Sequence, residues 1–291
     1  MLPTRRHVLA ALVASSFATA LPAAASDRAD PQTLRVALLP DENAATIIQN
    51  AQPLKEFLAE RLGRDVEILV TTDYSSMIEA MRFGRIEVGY FGPLSYVMAK
   101  SRAPEIEPFG VGVVDGSPTY RSILIANAEG PVKGYEDIRG KPFAFGDQAS
   151  TSSHLAPRTV LAKAGLKGDS DYKVVHLGKH DAVARAVAAG QVPAGGLSES
   201  IYEVLVERGK VDASKIRVLG YSDPLPNYPL TMQGYLVPEL KEAIRSAFLD
   251  IDNPEILELF RVERLDPTDD AAYDVLREMA EILEINLAKA N

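Results

Sequence analysis

Residues 143–155 read Phe-Ala-Phe-Gly-Asp-Gln-Ala-Ser-Thr-Ser-Ser-His-Leu. A short apolar run ends in Gly146-Asp147. Four consecutive alcohols follow, Ser150 to Ser153, and a helix-like segment begins. Hydroxyls at a helix start lie beside backbone N–H groups that have no partner inside the helix. The helix dipole adds partial positive charge at the same place. Such a turn can hold a tetrahedral oxyanion without a lysine or arginine. The bland alternative is a capping box with surplus serines. Two further polar residues precede helix-like segments, Tyr74 and His180.

Ser, His and Asp together also raise hydrolysis. Gly196-Leu197-Ser198-Glu199-Ser200 departs from the nucleophile-elbow pattern at its final Gly. No His follows His180, so a Ser-Asp-His chain order starting at Ser198 is impossible. His176 and His180 are four apart, which suits two metal ligands on one helix face. Gly178 and the strand-like Val174-Val175 argue instead for a strand end. No EF-hand, P-loop or dinucleotide fingerprint is present. Neither metal nor cofactor is expected, and the chain reads as a non-enzyme.

The elements that must position these residues alternate. Strands are expected at Leu34 to Leu39, Val66 to Thr71, Ile86 to Phe91 and Phe109 to Val114, then at Arg121 to Ala126, Pro142 to Phe145, Val174 to Leu177, Arg217 to Tyr221 and Met232 to Val237. Helices are expected at Ala44 to Arg61, Ser75 to Phe83, from Pro93 onward, and at Leu155 to Ala164, Ala182 to Ala189 and Ile201 to Arg208, with the C-terminal remainder helical. Pro157 fits only a first turn, so its helix either starts near Ser153 or is kinked. The pattern predicts an α/β chain with largely parallel sheets. A weak repeat runs through it: Ala80, Gly84, Ile86 and Gly89 match Ala186, Gly190, Val192 and Gly195 at one constant offset of 106. Two lobes of like topology would then aim Tyr74 and His180 into one cleft, beyond the carboxyl ends of the strands.

Composition narrows the setting. The chain has 291 residues, 46% hydrophobic and 24% charged, with a net charge of −9 and no cysteine. Arg5-Arg6, the apolar run Val8 to Ala20 and Ala23-Ala24-Ala25 form a signal peptide over 1–25, with an Arg pair of the twin-arginine kind. The run is shorter than the roughly 20 apolar residues of a membrane span. No Cys follows the cleavage point, so no lipid anchor is expected. Losing Arg5 and Arg6, and no acid, takes the net charge from −9 to −11. That balance disfavours nucleic acid. An anion site in such a molecule must rest on local fixed donors, because salt screens the diffuse field beyond ~8–10 Å.

Asp73-Tyr74, Tyr90-Phe91-Gly92-Pro93-Leu94-Ser95-Tyr96, Gly146-Asp147 with Ser150-Thr151-Ser152, and His180-Asp181-Ala182 together carry a resemblance. The chain resembles the substrate-binding proteins of phosphonate and phosphite ABC importers, from about Leu34 to at least Leu236. The resemblance implies a two-lobed periplasmic binding protein fold of type II, with the ligand cleft between lobes joined by two crossing segments. Lobe one would take 26–120 and 228–291, and lobe two 121–227. Crossings would fall near Tyr120 to Ile125 and Asn227 to Met232. The implied ligand contacts are Ser150, Thr151, Ser152, Tyr74, Tyr120 and His180. Tyr90 and Tyr96 read rather as packing residues with a polar tip.

In members that bind aminoethylphosphonate, carboxylates hold the ammonium. One such position falls here on Ser200, beside Glu199, and the other in the loop where this chain has Tyr228. A desolvated ammonium needs a counter-charge. With Tyr228 filling space at the ligand, the expected cargo is phosphite, hypophosphite or methylphosphonate. The implied setting is a monomer in the periplasm, soluble and working with an inner-membrane permease. A ligand-sensing receptor of the same fold, or an exported hydrolase or transferase acting on a phosphate or acyl ester, are the other readings.

Overall fold

The first strand-like run forms the heart of a sheet. In the computed structural model, which describes residues 29–288, β1 (Thr33–Leu38) pairs in parallel with β2 (Asp65–Val70) and β3 (Val88–Tyr90). The expected signal segment lies outside the described residues. Helices α1 (Ala44–Asn50) and α2 (Gln52–Leu62) link β1 to β2, and α3 (Tyr74–Arg82) links β2 to β3. After α4 (Pro93–Arg102) and β4 (Glu107–Val113) the chain leaves this sheet, passing through the short β5 (Thr119–Tyr120).

The second sheet opens with β6 (Ser122–Asn127) and continues with β7 (Pro142–Phe145), β8 (Lys173–His176), β9 (Ala194–Ser198) and β10 (Ile216–Tyr221). Its helices are α5 (Ala156–Lys163), α6 (His180–Ala188) and α7 (Glu199–Glu207). The chain then returns through β11 (Leu225–Pro226), which pairs with β5, and rejoins the first sheet as β12 (Pro229–Met232). Helices α8 (Pro238–Leu249) and α9 (Pro254–Phe260), strand β13 (Arg264–Pro267) and α10 (Asp274–Ile282) complete it. The sheet orders are β13-β4-β12-β3-β1-β2 and β10-β6-β9-β7-β8. Each sheet has its own apolar core.

Neither sheet is largely parallel. In each, three strands run parallel, and the strand entering from the other lobe runs against them: β12 against β3, and β6 against β9. The reason is where the chain arrives. It crosses at the cleft, beyond the carboxyl ends of the parallel strands, and can only enter the sheet in the opposite sense.

Four expected elements differ. The helix over Ala44 to Arg61 is two helices, because Pro53 has no N–H to donate at the start of α2 and Ala51 ends α1. The strand expected at Met232 to Val237 ends at Met232. Beyond it, the Gln233 amide turns inward and donates to Met81 O (2.6 Å) and Ile86 O (3.0 Å). The C-terminal stretch is not all helix: β13 pairs along the edge of β4. The helix carrying Pro157 begins earlier than Leu155, with a π turn over Thr151–Leu155 that runs into α5. Pro157 cannot donate to Ser153 O; Gly146 N–H takes that carbonyl instead (2.9 Å).

The weak sequence repeat corresponds to structure. Helix α3 begins at Tyr74 and α6 at His180, and β3 begins at Val88 and β9 at Ala194. Gly84 and Gly190, just past the two helices, both take positive φ (61° and 69°).

Candidate functional site

Four helix starts converge where the lobes meet. Tyr74 opens α3, Pro93 and Leu94 open α4, Thr151 opens the π turn leading into α5, and His180 opens α6. Two come from each lobe. Each start brings unpaired N–H groups and the positive end of a helix dipole. This is how a chain of net charge −9 can favour an anion locally.

Hydrogen bonds join the lobes at this point. Leu94 N–H donates to Thr151 Oγ1 (2.7 Å), and His180 N–H donates to Asp41 O (3.1 Å). Tyr74 N–H reaches Asp147 Oδ2 at 3.4 Å, and the Tyr74 hydroxyl lies 3.5 Å from His180 Nε2. Tyr74, Ser150, Thr151, Ser152 and His180 are all buried. Ser198 N–H donates to His180 Nδ1 (2.9 Å). A neutral imidazole has one acceptor nitrogen, so Nε2 carries the hydrogen. Burial holds the ring neutral, pushing its pKa down to about 3, with nearby Arg261 adding to the effect. An imidazole so arranged cannot take a proton from Ser150, whose Oγ lies 3.4 Å from Nε2. It offers a donor.

The four alcohols divide by partner. Ser153 is structural: its hydroxyl donates to Gly196 O (2.5 Å) and accepts Gly146 N–H (2.9 Å). Ser150 Oγ caps the turn by accepting Ser153 N–H (3.1 Å). Thr151 is held from the opposite lobe. Ser152 Oγ is fully buried and has no hydrogen-bond partner, although Ser122 Oγ fixes its backbone by donating to Ser152 O (2.6 Å). The Tyr120 hydroxyl, beside Thr151 and Ser152, is likewise buried without a partner of normal geometry. Buried polar groups are almost always paired, so two adjacent orphans mark a place where a ligand belongs.

Tyrosines close one side. Tyr120 and Tyr228 stack at 5.3 Å and 31°, and Tyr90 meets Tyr228 at 5.3 Å. Desolvation pushes the Tyr120 phenol up to about 12 and raises those of Tyr74 and Tyr228 well beyond their ordinary value. All three are neutral donors at neutral pH. Tyr90 and Tyr96 pack in the core, their hydroxyls donating to Phe260 O (3.3 Å) and Asp270 Oδ1 (2.6 Å). On their outer side Tyr120 and Tyr228 border a groove of about 530 Å³ that Asp115, Glu199, Ser200 and Glu203 also line. His176 is an exposed strand-end residue whose Nδ1 bonds Gly146 O (2.9 Å). Among the described residues no acidic or histidine cluster could hold a metal.

Two residues at this junction escape the sequence reading. Asp41, in the loop after β1, forms a buried ion pair with Arg261 (2.9 Å) while its carbonyl accepts from His180. Arg261 stands in the left-handed conformation after α9, with its guanidinium 5.9 Å from the Tyr228 ring centroid. Asp41 follows Pro40 at a strand end, a loop signal at the cleft side. Nothing in the local text around Arg261 marks it.

Residues 36–273 match the family described as the periplasmic substrate-binding protein of phosphonate ABC transporters. The phosphate-import protein PhnD of Mycolicibacterium smegmatis is 28% identical over 239 residues, covering 78% of this chain and 74% of that protein. A binding protein component of an ABC phosphonate transporter from Pseudomonas aeruginosa superposes with a TM-score of 0.80 at 24% identity, over 87% of this chain and 86% of that one. PhnD1 of Prochlorococcus marinus, solved with methylphosphonate, gives a TM-score of 0.80 at 21% identity, over 88% of this chain and all of that one. These likenesses identify the fold as the two-lobed, type II α/β fold of periplasmic binding proteins.

Proposed function

The chain belongs to the periplasmic substrate-binding proteins of phosphonate ABC transporters, and we propose that it captures a small phosphorus oxyanion for delivery to a permease. It is a transport component, not an enzyme. The reading of its site rests on one observation above the rest. Two fully desolvated hydroxyls, Ser152 and Tyr120, lie side by side without partners among four helix starts. In the proposed complex Ser150, Thr151, Ser152 and His180 grip the anion from lobe two, Tyr74 reaches it from lobe one, and Tyr120 and Tyr228 wall it at the crossing. In this reading lobe one takes the described residues of 26–120 and of 228–291, and lobe two 121–227. Hydrogen bonds to a charged group contribute about 1.5–3 kcal/mol each. Several, net of ordering costs, reach the ~8 kcal/mol of micromolar binding. Contacts made only when the lobes close shift the population toward closure, and a permease would read the closed outer surface of a monomer.

Phosphite, hypophosphite and methylphosphonate are favoured over aminoethylphosphonate. Support comes from the stacked Tyr120–Tyr228 pair, which fills space at the crossing, and from the carboxylates nearest His180 and Tyr74 being already engaged, Asp41 by Arg261 and Asp147 by backbone N–H groups. Calorimetry with these four ligands and sulfate tests the reading, on the wild type and on Tyr74→Phe. Micromolar binding of the small anions, weakened about tenfold in Tyr74→Phe, is expected. Tightest binding of aminoethylphosphonate would overturn the role given to Tyr228 and Ser200, and unchanged affinity in Tyr74→Phe would misplace the site.

A further inference from the structure

His154 follows the run of alcohols and is not among the proposed ligand contacts. Its ring is buried, edge-on to Phe145 (centroids 5.8 Å apart, 89°) and tilted against His176 (5.2 Å, 69°). Burial, with Arg158 adding to it, holds the imidazole neutral by pushing its pKa down to about 3. Arg158, one turn further along in α5, has Nη1 3.3 Å from His154 Nε2. A guanidinium can only donate, so Nε2 is the acceptor and the one N–H of the neutral ring is on Nδ1. Nδ1 lies 2.5 Å from Gln148 O. The ring thus donates back to the carbonyl of the residue six positions earlier, ahead of the π turn to which it belongs.

That carbonyl belongs to the segment where the lobes meet. Tyr74 N–H of lobe one reaches Asp147 Oδ2 (3.4 Å), Leu94 N–H reaches Thr151 Oγ1 (2.7 Å), and Ala149 packs into the apolar core of the first sheet. Gly146 and Ser150, at the two ends of the loop, are tied to the π turn: Gly146 N–H by Ser153, and Ser150 by Ser153 N–H and Leu155 N–H. Asp147 closes the loop on itself, its Oδ1 accepting Ala149 N–H (2.8 Å) and its carbonyl Ser150 N–H (3.0 Å). At the exposed middle residue, Gln148, the tie to the lobe is the His154 ring. We infer that His154 is a positioning residue: by donating from Nδ1 to Gln148 O it braces the 147–150 loop, and with it the alcohols of the proposed site and the Asp147 contact across the lobes. The inference rests on the proposed site and adds to it a residue that touches no ligand. Hydrogen bonds weaken steeply with misalignment. A ligand that must order a loose loop loses part of its binding free energy to that ordering.

Two substitutions separate the ring's two bonds. His154→Asn puts an amide nitrogen where Nδ1 stands, keeping the donor to Gln148 O and giving up the Arg158 contact. His154→Gln reaches the place of Nε2, where its amide oxygen accepts from Arg158, and gives up Gln148 O. Thermal melts fix a temperature at which wild type and both variants are folded, and calorimetry there reads affinity for phosphite and methylphosphonate. His154→Asn is expected to bind both ligands within about threefold of wild type, and His154→Gln about five- to tenfold more weakly than wild type. Equal affinity in the two variants, or weaker binding by His154→Asn than by His154→Gln, would overturn the inference and leave the site in place. NMR of the imidazole nitrogens in the wild-type protein at neutral pH reads the same bond without a substitution. The hydrogen is expected on Nδ1 of a neutral His154; an Nε2–H tautomer or a charged ring would overturn the inference even if neither variant folds. Failure of the wild-type protein to bind any phosphorus anion would overturn the site itself, and the role given to His154 with it.

Discussion

Replacing Ser152 by alanine should separate binding from stability. Its hydroxyl is fully buried and bonds nothing, while its backbone carbonyl stays anchored by Ser122. Leaving a buried hydroxyl unsatisfied costs about 1–3 kcal/mol. Ser152→Ala removes that burden from the ligand-free protein, which should gain up to about 1 kcal/mol, a rise in Tm of about 2–4 °C. In the complex the same change deletes a hydrogen bond to a charged oxygen, about 1.5–3 kcal/mol, and affinity should fall roughly ten- to hundredfold. Ser153→Ala is the internal contrast. It breaks the hydroxyl's bond to Gly196 O (2.5 Å) and leaves that carbonyl buried without it, while Gly146 N–H keeps its bond to the Ser153 carbonyl (2.9 Å). It should lose about 1–3 kcal/mol of stability. Thermal melts without ligand, paired with calorimetry using phosphite, read both quantities. A Ser152→Ala protein that melts lower and binds as tightly as wild type would refute the reasoning.

Arg261→Ala strands Asp41 as a buried charge beside His180 and should destabilise by about 3–5 kcal/mol in urea unfolding; a loss under 1 kcal/mol would mean the pair is wetter than its burial indicates. His180 and His154, both pushed by burial to about 3, bind fewer protons folded than unfolded between about pH 3 and 6.5. Stability should therefore rise with pH across that window and drop on acidification, by about 1.4 kcal/mol per pH unit per histidine. NMR titration showing either ring protonating near 6.5 in the folded protein would contradict this. A Cβ at Gly196 would lie 2.5 Å from Pro157 Cγ, so Gly196→Ala should cost about 1–3 kcal/mol through overpacking of α5 on β9, measured by urea unfolding.

Local chemistry was legible along the chain. Alternating apolar runs located β1, β2, β7 and β8, and the Gly after α3 and α6 exposed the repeat that pairs Tyr74 with His180. The hydroxyl run at Ser150 to Ser153 was visible as a helix start because capping is a property of neighbouring residues. Short, one-sided strands were not legible: β13 buries only Leu265, too little to show a period. Nor could the residues near Met232 reveal that the Gln233 amide turns inward to distant carbonyls.

Sequence alone thus determined which residues carry polar hydrogens and where helices begin, since both depend on a few adjacent side chains. Only the tertiary structure decided which of the alcohols is committed and which is left over. Ser152 and Ser153 are the same residue type one position apart, and what distinguishes them is Gly146, Gly196 and Tyr120, brought from three separate strands or loops. The Asp41–Arg261 pair, spanning 220 residues, likewise has no local signal. Hydrogen-bond satisfaction is a property of an assembled neighbourhood, and long-range packing fixes that neighbourhood.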